Sequence, residues 1–432
     1  MKKHSHNETP LTETRNALGS LLRYRLILII LFPVLIGFTV FQTIKYRSFK
    51  YLLQRLSIST GSHDKIDVWI HAASVGEVNA AIPLIQAITK LDPSAAILMT
   101  TTTPTGARVI QTQRIPNTRH CYLPLDYAIF VSSFLNKTQP RCAIIMETEI
   151  WPNLFRLCYK NRISLYLVNG RLSHRTLNTT QWVKSLYAST LQYPTLILTR
   201  SDRDTKAYIA LGAPAEKVKT IGNIKFAMQF NAPATHNQFT NRPYLLAAST
   251  HNDEELQIAS LWSANREKFT HHLLVIAPRH PQRLNKILNQ LQSLEFNIAI
   301  RSRNDQVTDQ TDIYIVDTIG ELMEFMNNAQ LVFMGGSLVP VGGHNVIEPA
   351  NLAKAMVFGP YMANFENEVQ LLLNHHAAIQ VENARQLLMP FSELLQDERK
   401  RSQLGKKARE LVEKQKNIAD RYAAEIKNCL EK

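Results

Sequence analysis

Residues 332–350, VFMGGSLVPVGGHNVIEPA, constrain the fold of this chain more than any other stretch. An apolar run ends in two glycine pairs, Gly335-Gly336 and Gly342-Gly343. A helix-start signal follows at Asn345, with Glu348 three residues on and then Pro349. Strand, glycine-rich turn and helix start, in that order, is how α/β proteins hold a phosphate. Glycines let the backbone approach closely, and free N–H groups of the first helical turn point at the anion. The loop lies in the second half of 432 residues, with another α/β pattern before it. That position predicts two α/β domains rather than one dehydrogenase.

The alternation supports this. Strand patterns begin at Val68 and recur at 96–100, 121–123, 143–146, 165–168, 196–199 and 218–221, with helical patterns at 78–91, 106–113, 128–136 and 153–161 between them. This is the βα rhythm of a parallel sheet. A polar stretch with Pro233 and Pro243 reads as a linker. The rhythm restarts with strands at 244–248, 273–277, 298–300, 313–316 and 331–334, and ends in one charged amphipathic helix over 398–430. The expected organisation is a polar tail at 1–23, an apolar anchor at 24–43, a first domain at 44–232 and a second at 233–432.

Charge separates the halves. Residues 1–232 hold 28 Lys+Arg against 12 Asp+Glu, and residues 233–432 hold 21 against 23. A basic half beside a neutral one predicts that the first domain faces something anionic. Residues 26–41 are apolar apart from Pro33, Gly37 and Thr39, and basic residues flank them on both sides. No small-residue cleavage site follows, so the segment reads as a retained anchor that spans or dips into a bilayer. An anionic lipid surface fits the basic half better than nucleic acid does. The four cysteines form no CxxC pair and the fourteen histidines show no metal-ligand spacing. Buried thiols and no metal are expected. No candidate motif precedes His71, so a chain starting near Ser57 is expected to keep its activity.

Seven segments at strand ends carry candidate chemistry. His71-Ala-Ala-Ser74-Val-Gly76-Glu77 places a carboxylate in the first turn of a helix, where it serves either as a general base or as a favourable dipole partner. Met146-Glu147-Thr148-Glu149-Ile150-Trp151-Pro152-Asn153 sets two carboxylates on one face after a buried strand. Lys225 follows a strand near the linker. Ser249-Thr250-His251, with Glu254 and Glu255 after it, is a capping box or a ligand contact. Pro278-Arg279-His280 offers a guanidinium for phosphate. Asp317-Thr318-Ile319-Gly320-Glu321 is another strand-end turn, and the glycine loop with Gly343, His344 and Asn345 completes the set.

Together these segments resemble the 3-deoxy-D-manno-octulosonic acid (Kdo) transferases of lipopolysaccharide synthesis. The carriers are SVGE at 74–77, TTTPTG at 101–106, YLPLD at 122–126, METEIWPN at 146–153, NGRLS at 169–173, GNIKF at 222–226, STH at 249–251, PRHPQR at 278–283, DTIGEL at 317–322 and GGSLVPVGGHNVIEPA at 335–350. The resemblance implies a glycosyltransferase-B fold, with two Rossmann-like parallel-sheet domains facing a central cleft and an N-terminal anchor helix. It implies CMP-Kdo as donor, lipid IVA as acceptor, no bound metal or cofactor, and attachment to the cytoplasmic face of the inner membrane, single-pass or monotopic. By the same resemblance Glu77 is the proton acceptor, and Glu147 and Lys225 stabilise the transition state. Pro278, Arg279, Ile319, Gly320, Glu321, Asn345, Val346, Ile347 and Glu348 bind CMP, with Ser249, Thr250, His251, Gly343 and His344 beside them. PRHPQR and NGRLS depart from the commoner PRHPER and NARLS. A UDP-sugar transferase or epimerase of the same fold, and a membrane-tethered binding module without activity, are the competing readings.

Overall fold

The computed structural model describes residues 15–60, 65–113, 115–228 and 241–430. The chain divides into two compact units, Met1–Met228 with Asn417–Lys432, and Gln229–Lys416. Most of the expected linker lies outside the described residues, as does the tail before residue 15.

The first unit holds a seven-stranded parallel sheet: β1 (Val68–His71), β2 (Ile97–Thr101), β3 (Thr118–Tyr122), β4 (Cys142–Met146), β5 (Ser164–Gly170), β6 (Leu196–Thr199) and β7 (Val218–Thr220). Their order is β3-β2-β1-β4-β5-β6-β7. Strands covered on both faces read as unbroken apolar runs, and β4 shows it, with Cys142, Ala143, Ile144, Ile145 and Met146 all fully buried. From β1 the chain builds outward to β3, then returns to lay β4 on the other side of β1. That reversal between β1 and β4 is the switch point, where the carboxyl ends of neighbouring strands diverge and ligands enter.

The second unit repeats the plan with β8 (Tyr244–Thr250), β9 (Leu273–Pro278), β10 (Ile298–Ile300), β11 (Ile313–Ile315), β12 (Leu331–Met334), β13 (Ala355–Phe358) and β14 (Ile379–Gln380), in the order β10-β11-β9-β8-β12-β13-β14. Its switch point falls between β8 and β12. Trp262 stacks on Phe269 beneath this sheet, with rings 4.2 Å apart.

Two expectations change. The C-terminal segment is not one helix. It breaks after Glu398–Glu413, and the helix Ile418–Glu425 belongs to the first unit, where the Tyr422 hydroxyl donates to the Gly222 carbonyl at 2.7 Å. Burial of Ile418, Ala419, Tyr422 and Ala423 against the first unit is the reason. The second change concerns the anchor.

Helix α1 (Arg15–Lys45) starts well before residue 24 and is long and apolar enough to cross a membrane. Its exposed apolar side chains include Ile30 and Ile44, 75% and 71% exposed. Its first half, however, is built into the first unit. The Tyr24 hydroxyl donates to Asp126 Oδ2 at 2.8 Å and Arg25 Nε donates to Asn153 Oδ1 at 2.9 Å. Phe32 meets Tyr127 edge to face, and the Tyr127 hydroxyl donates to the Leu28 carbonyl. Asp126 in turn accepts from the N–H groups of Asn153 (3.1 Å) and Leu154 (2.9 Å), at the start of the helix Pro152–Lys160. Helix α2 (Phe49–Arg55) is equally integral. Gln54 Oε1 accepts from the Tyr122 N–H, and the Leu125 N–H donates to the Arg55 carbonyl. A chain starting near Ser57 therefore loses contacts that hold the YLPLD and WPN segments, so the segment before it is more than a detachable anchor.

Removing Asp126 leaves two buried N–H groups without an acceptor. Asp126→Ala is expected to cost about 1–3 kcal/mol, and Tyr24→Phe about 0.5–1.5 kcal/mol. Thermal unfolding of the full chain in detergent checks both. Midpoints equal to wild type for both variants would show that α1 is not part of the folded unit.

Candidate functional site

In the first unit, residues converge on the carboxyl ends of β1 and β4. β1 ends at His71, and helix α3 (Val75–Leu91) starts four residues later. Ser74 is its N-cap, with Oγ accepting from the Glu77 N–H at 3.3 Å. The Glu77 carboxylate reaches back to the Ala73 N–H at 2.8 Å and to Ser74 Oγ at 3.1 Å. This is a shifted capping box, whose reach-back bond falls on the residue before the N-cap. The structural reading of Glu77 is thus realised, and it fixes the carboxylate at the strand end rather than competing with a chemical role. Burial, and then the charges of Glu147 and Glu149, push its carboxyl up to about 7.

Glu147 follows β4 with φ +55° and is 3% exposed. A left-handed backbone at a non-glycine residue carries strain of about 1–3 kcal/mol and persists only where surroundings enforce it. Here Lys225 Nζ stands 2.9 Å from Oε1 and Arg171 Nε 3.1 Å from Oε2. Burial alone would raise this carboxyl, but the two cations outweigh it and hold it below its ordinary range. Lys225 is placed by a 3-10 turn, Ile224–Ala227. Asn223 Oδ1 caps that turn on the Lys225 N–H, and Asn169 Oδ1 accepts from the Ile224 N–H. The chain turns at Glu147 instead of running on extended, so the alternation that would set Glu149 on its face is broken, and Glu149 accepts from Trp151 Nε1 at 2.9 Å. Fully buried His71 turns Nδ1 to the Thr100 carbonyl at 3.2 Å and Nε2 towards Glu149 at 3.9 Å.

In the second unit, candidates gather where β8 and β12 part. β8 carries a register shift between Ala248 and Thr250, and Ser249 sits at φ +55°. Glu254, fully buried, accepts from four N–H groups: His251 (2.8 Å), Gly336 (2.6 Å), Ser337 (2.9 Å) and Leu338 (2.9 Å). Burial pushes its carboxyl up against the pull of those donors. One side chain thus ties the end of β8 to the glycine loop. Gly335 is required there, because a Cβ would lie 2.6 Å from the Ser249 carbonyl oxygen. Glu255 is held by Arg283 through two bonds, 3.0 and 3.1 Å, and by the Thr250 hydroxyl.

What remains facing outward is one guanidinium and a cluster of histidines. His251 Nε2 and His344 Nε2 are 2.9 Å apart, His280 meets the His251 ring edge to face, and Arg279 follows β9 directly after Pro278. Arg279 lies near enough to Glu348 for its charge to oppose the rise that burial imposes on that carboxyl. The helix after the glycine loop is only Ile347–Asn351, with Val346 as N-cap. Asn345 Oδ1 accepts from the Ile347 N–H, and Asn345 Nδ2 donates to Glu348 Oε1. Five residues make a weak dipole, so Arg279 supplies the positive charge here. Gly343, at φ +73°, precedes His344 in that loop. Ile319 is 90% exposed beside Gly320 at φ +98°, whereas the Glu321 carboxylate is taken by Arg301 at 2.6 Å.

Sequence reasoning missed Arg171, the double role of Asp126, and Glu254 as the strap on the glycine loop. Arg171 lies in NGRLS and Asp126 in YLPLD, so the motifs pointed at both segments without separating the working side chain from its neighbours.

The sequence family described as 3-Deoxy-D-manno-octulosonic-acid transferase (kdotransferase) matches residues 50–228. A 3-deoxy-D-manno-octulosonic acid transferase of Haemophilus influenzae is 31% identical over 95% of this chain and 98% of that protein. One from Rickettsia prowazekii is 33% identical over 91% of this chain and 87% of that protein. Among solved structures, a glycosyltransferase from Rickettsia africae superposes with a TM-score of 0.61 at 14% identity, over 85% of this chain and 99% of that one, a likeness of fold. Near-full-length similarity above 30% identity, together with two Rossmann-like sheets whose motif residues meet at the switch points, places this chain in the 3-deoxy-D-manno-octulosonic acid transferase family, a family of glycosyltransferases.

Proposed function

We propose that this protein transfers Kdo from CMP-Kdo to lipid IVA, releasing CMP, in lipopolysaccharide synthesis. The observation that carries the reading is the carboxylate pair at the first switch point. Glu77 is lifted to about 7 while Glu147 is held ionised by Lys225 and Arg171. Two carboxylates with opposed environments divide the labour of acid–base chemistry.

In this reading the acceptor hydroxyl loses its proton to Glu77 as its oxygen bonds to the anomeric carbon of Kdo. The bond from that carbon to the CMP phosphate breaks, and the electron pair leaves with the phosphate. Arg279, the His251–His344 pair and the glycine loop form the receptor for that growing charge. The Lys225–Glu147–Arg171 cluster stabilises positive charge developing on the sugar through its carboxylate, or anionic groups through its cations. The exposed turn at Ile319-Gly320 and the Asn345–Glu348 segment are assigned to the nucleoside. Helix α1 seats the protein on the cytoplasmic face of the inner membrane, and the basic first unit adds about 1 kcal/mol per Lys or Arg near anionic lipid.

Glu77 must be ionised to accept a proton. Because its folded-state value is raised, kcat/KM is expected to climb about tenfold per pH unit below about pH 7 and to level off above it. Glu77→Gln is expected to lower kcat by about 10²–10⁴-fold with CMP affinity intact. A rate above about a tenth of wild type would show that Glu77 is not the base.

Arg279→Ala is expected to weaken CMP binding by about tenfold to a hundredfold, and the loss should shrink as salt rises. Titration calorimetry measures it. Unchanged affinity would remove Arg279 from the donor site.

A further inference from the structure

No carboxylate is ion-paired with the histidine pair of the second unit among the described residues, and Glu255 is the one acidic neighbour whose charge favours a proton on His251. His251 and His344 lie with rings nearly parallel, 10° apart, and their Nε2 atoms touch at 2.9 Å. Only one proton fits between two ring nitrogens at that distance. One Nε2 donates and the other accepts, and both Nδ1 atoms remain to carry the balance. Such a pair can hold one further proton on Nδ1 without breaking the bond between the rings.

The groups around it decide whether it does. His280, after β9, lies with its ring 5.6 Å from that of His251, and Arg279 and Arg283 come from the same turn. All three oppose a positive charge on the pair. The carboxylates within reach are already committed: Glu254 to four backbone N–H groups, Glu255 to Arg283 and Thr250, and Glu348 to Asn345. With nothing bound, burial and these neighbours hold His344 down to about 4, and His251 is lowered for the same reasons. The pair is therefore neutral near pH 7 when the site is empty, and it faces a field that only an added anion can reverse.

We propose that the His251–His344 pair takes up one proton when a phosphodiester-bearing ligand enters the site, so that the bound phosphate meets an imidazolium rather than a neutral ring. The inference rests on reading this end of the second sheet as the donor site, and it makes donor binding proton-coupled. An opposite charge within ~4–6 Å raises a histidine by about one to three pH units. The sign follows. The proton-linked part of the affinity is complete below the free-state value and is lost as pH rises through the higher, bound-state value.

The test uses the full chain in detergent, with histidines carbon-13 labelled at Cε1, and the methyl phosphodiester of CMP as probe. Its phosphate keeps a single charge throughout the range studied. His251→Gln and His344→Gln assign the two resonances. With saturating probe, the midpoints of the pair are expected to rise by about one to three pH units, whereas cytidine leaves them in place. The probe's Kd is expected to weaken by up to about tenfold per pH unit between the free-state and bound-state values, and to level off above the latter. In His344→Gln that slope flattens while Arg279 keeps the probe bound. His251→Gln is expected to behave alike and stands in where His344→Gln does not fold. Unmoved midpoints in a protein that binds the probe would overturn proton coupling and leave the donor site standing. A wild-type protein that binds no probe at any pH would overturn the donor-site reading itself.

Discussion

A buried carboxylate must find cations or lose its charge, and Glu147 is where this chain meets that demand. It sits at the end of a fully buried strand in a left-handed conformation, with Lys225 and Arg171 on its two oxygens. Those partners come from the segment after β7 and from the loop after β5, so the ion triad draws three separate motifs to one point. Strain in the backbone, desolvation of the carboxylate and placement of the cations stand or fall together. Breaking a buried pair by removing one partner costs about 3–5 kcal/mol, so loss of Lys225, the more buried of the two cations, is expected to disturb fold and site alike. Glu77 inherits its character from the arrangement, because the negative neighbour adds to the burial that raises it.

The second unit solves a matching problem with opposite sign. Its glycine loop folds over a buried Glu254 that consumes the N–H groups of Gly336, Ser337 and Leu338. The N–H groups that the sequence pattern offered to a phosphate are different ones, those of the helical turn that follows Gly343. The positive charge presented outward therefore comes from Arg279, not from that stretch of backbone. The Gly336–Leu338 part of the loop is internally satisfied, and Gly335 serves close approach to β8.

Much of this was legible from residue order. Unbroken apolar runs marked strands such as β4 and β12 because sheets covered on both faces leave no alternation to read. Strand-end motifs located Glu77, Glu147 and Lys225, because open α/β sheets put ligands at carboxyl ends. Pairing was not legible. Nothing in one-dimensional order joins Arg171 to Glu147, Arg301 to Glu321, or His251 to His344 across 93 positions. The anchor was read as a detachable apolar helix, since Tyr24 and Arg25 look like flanking residues until Asp126 and Asn153 are seen to receive them. The C-terminal helix was assigned by adjacency in sequence, whereas burial of Tyr422 carries it to the first unit.

The proposed activity is a covalent transfer, and the most direct test is to follow both products at once. Purified full-length protein in detergent, supplied with CMP-Kdo and lipid IVA, should yield free CMP and a lipid whose mass has risen by one or more whole Kdo residues, in matching amounts and without added metal. Release of CMP with the lipid unchanged, or an inert protein that still binds CMP, would contradict the account.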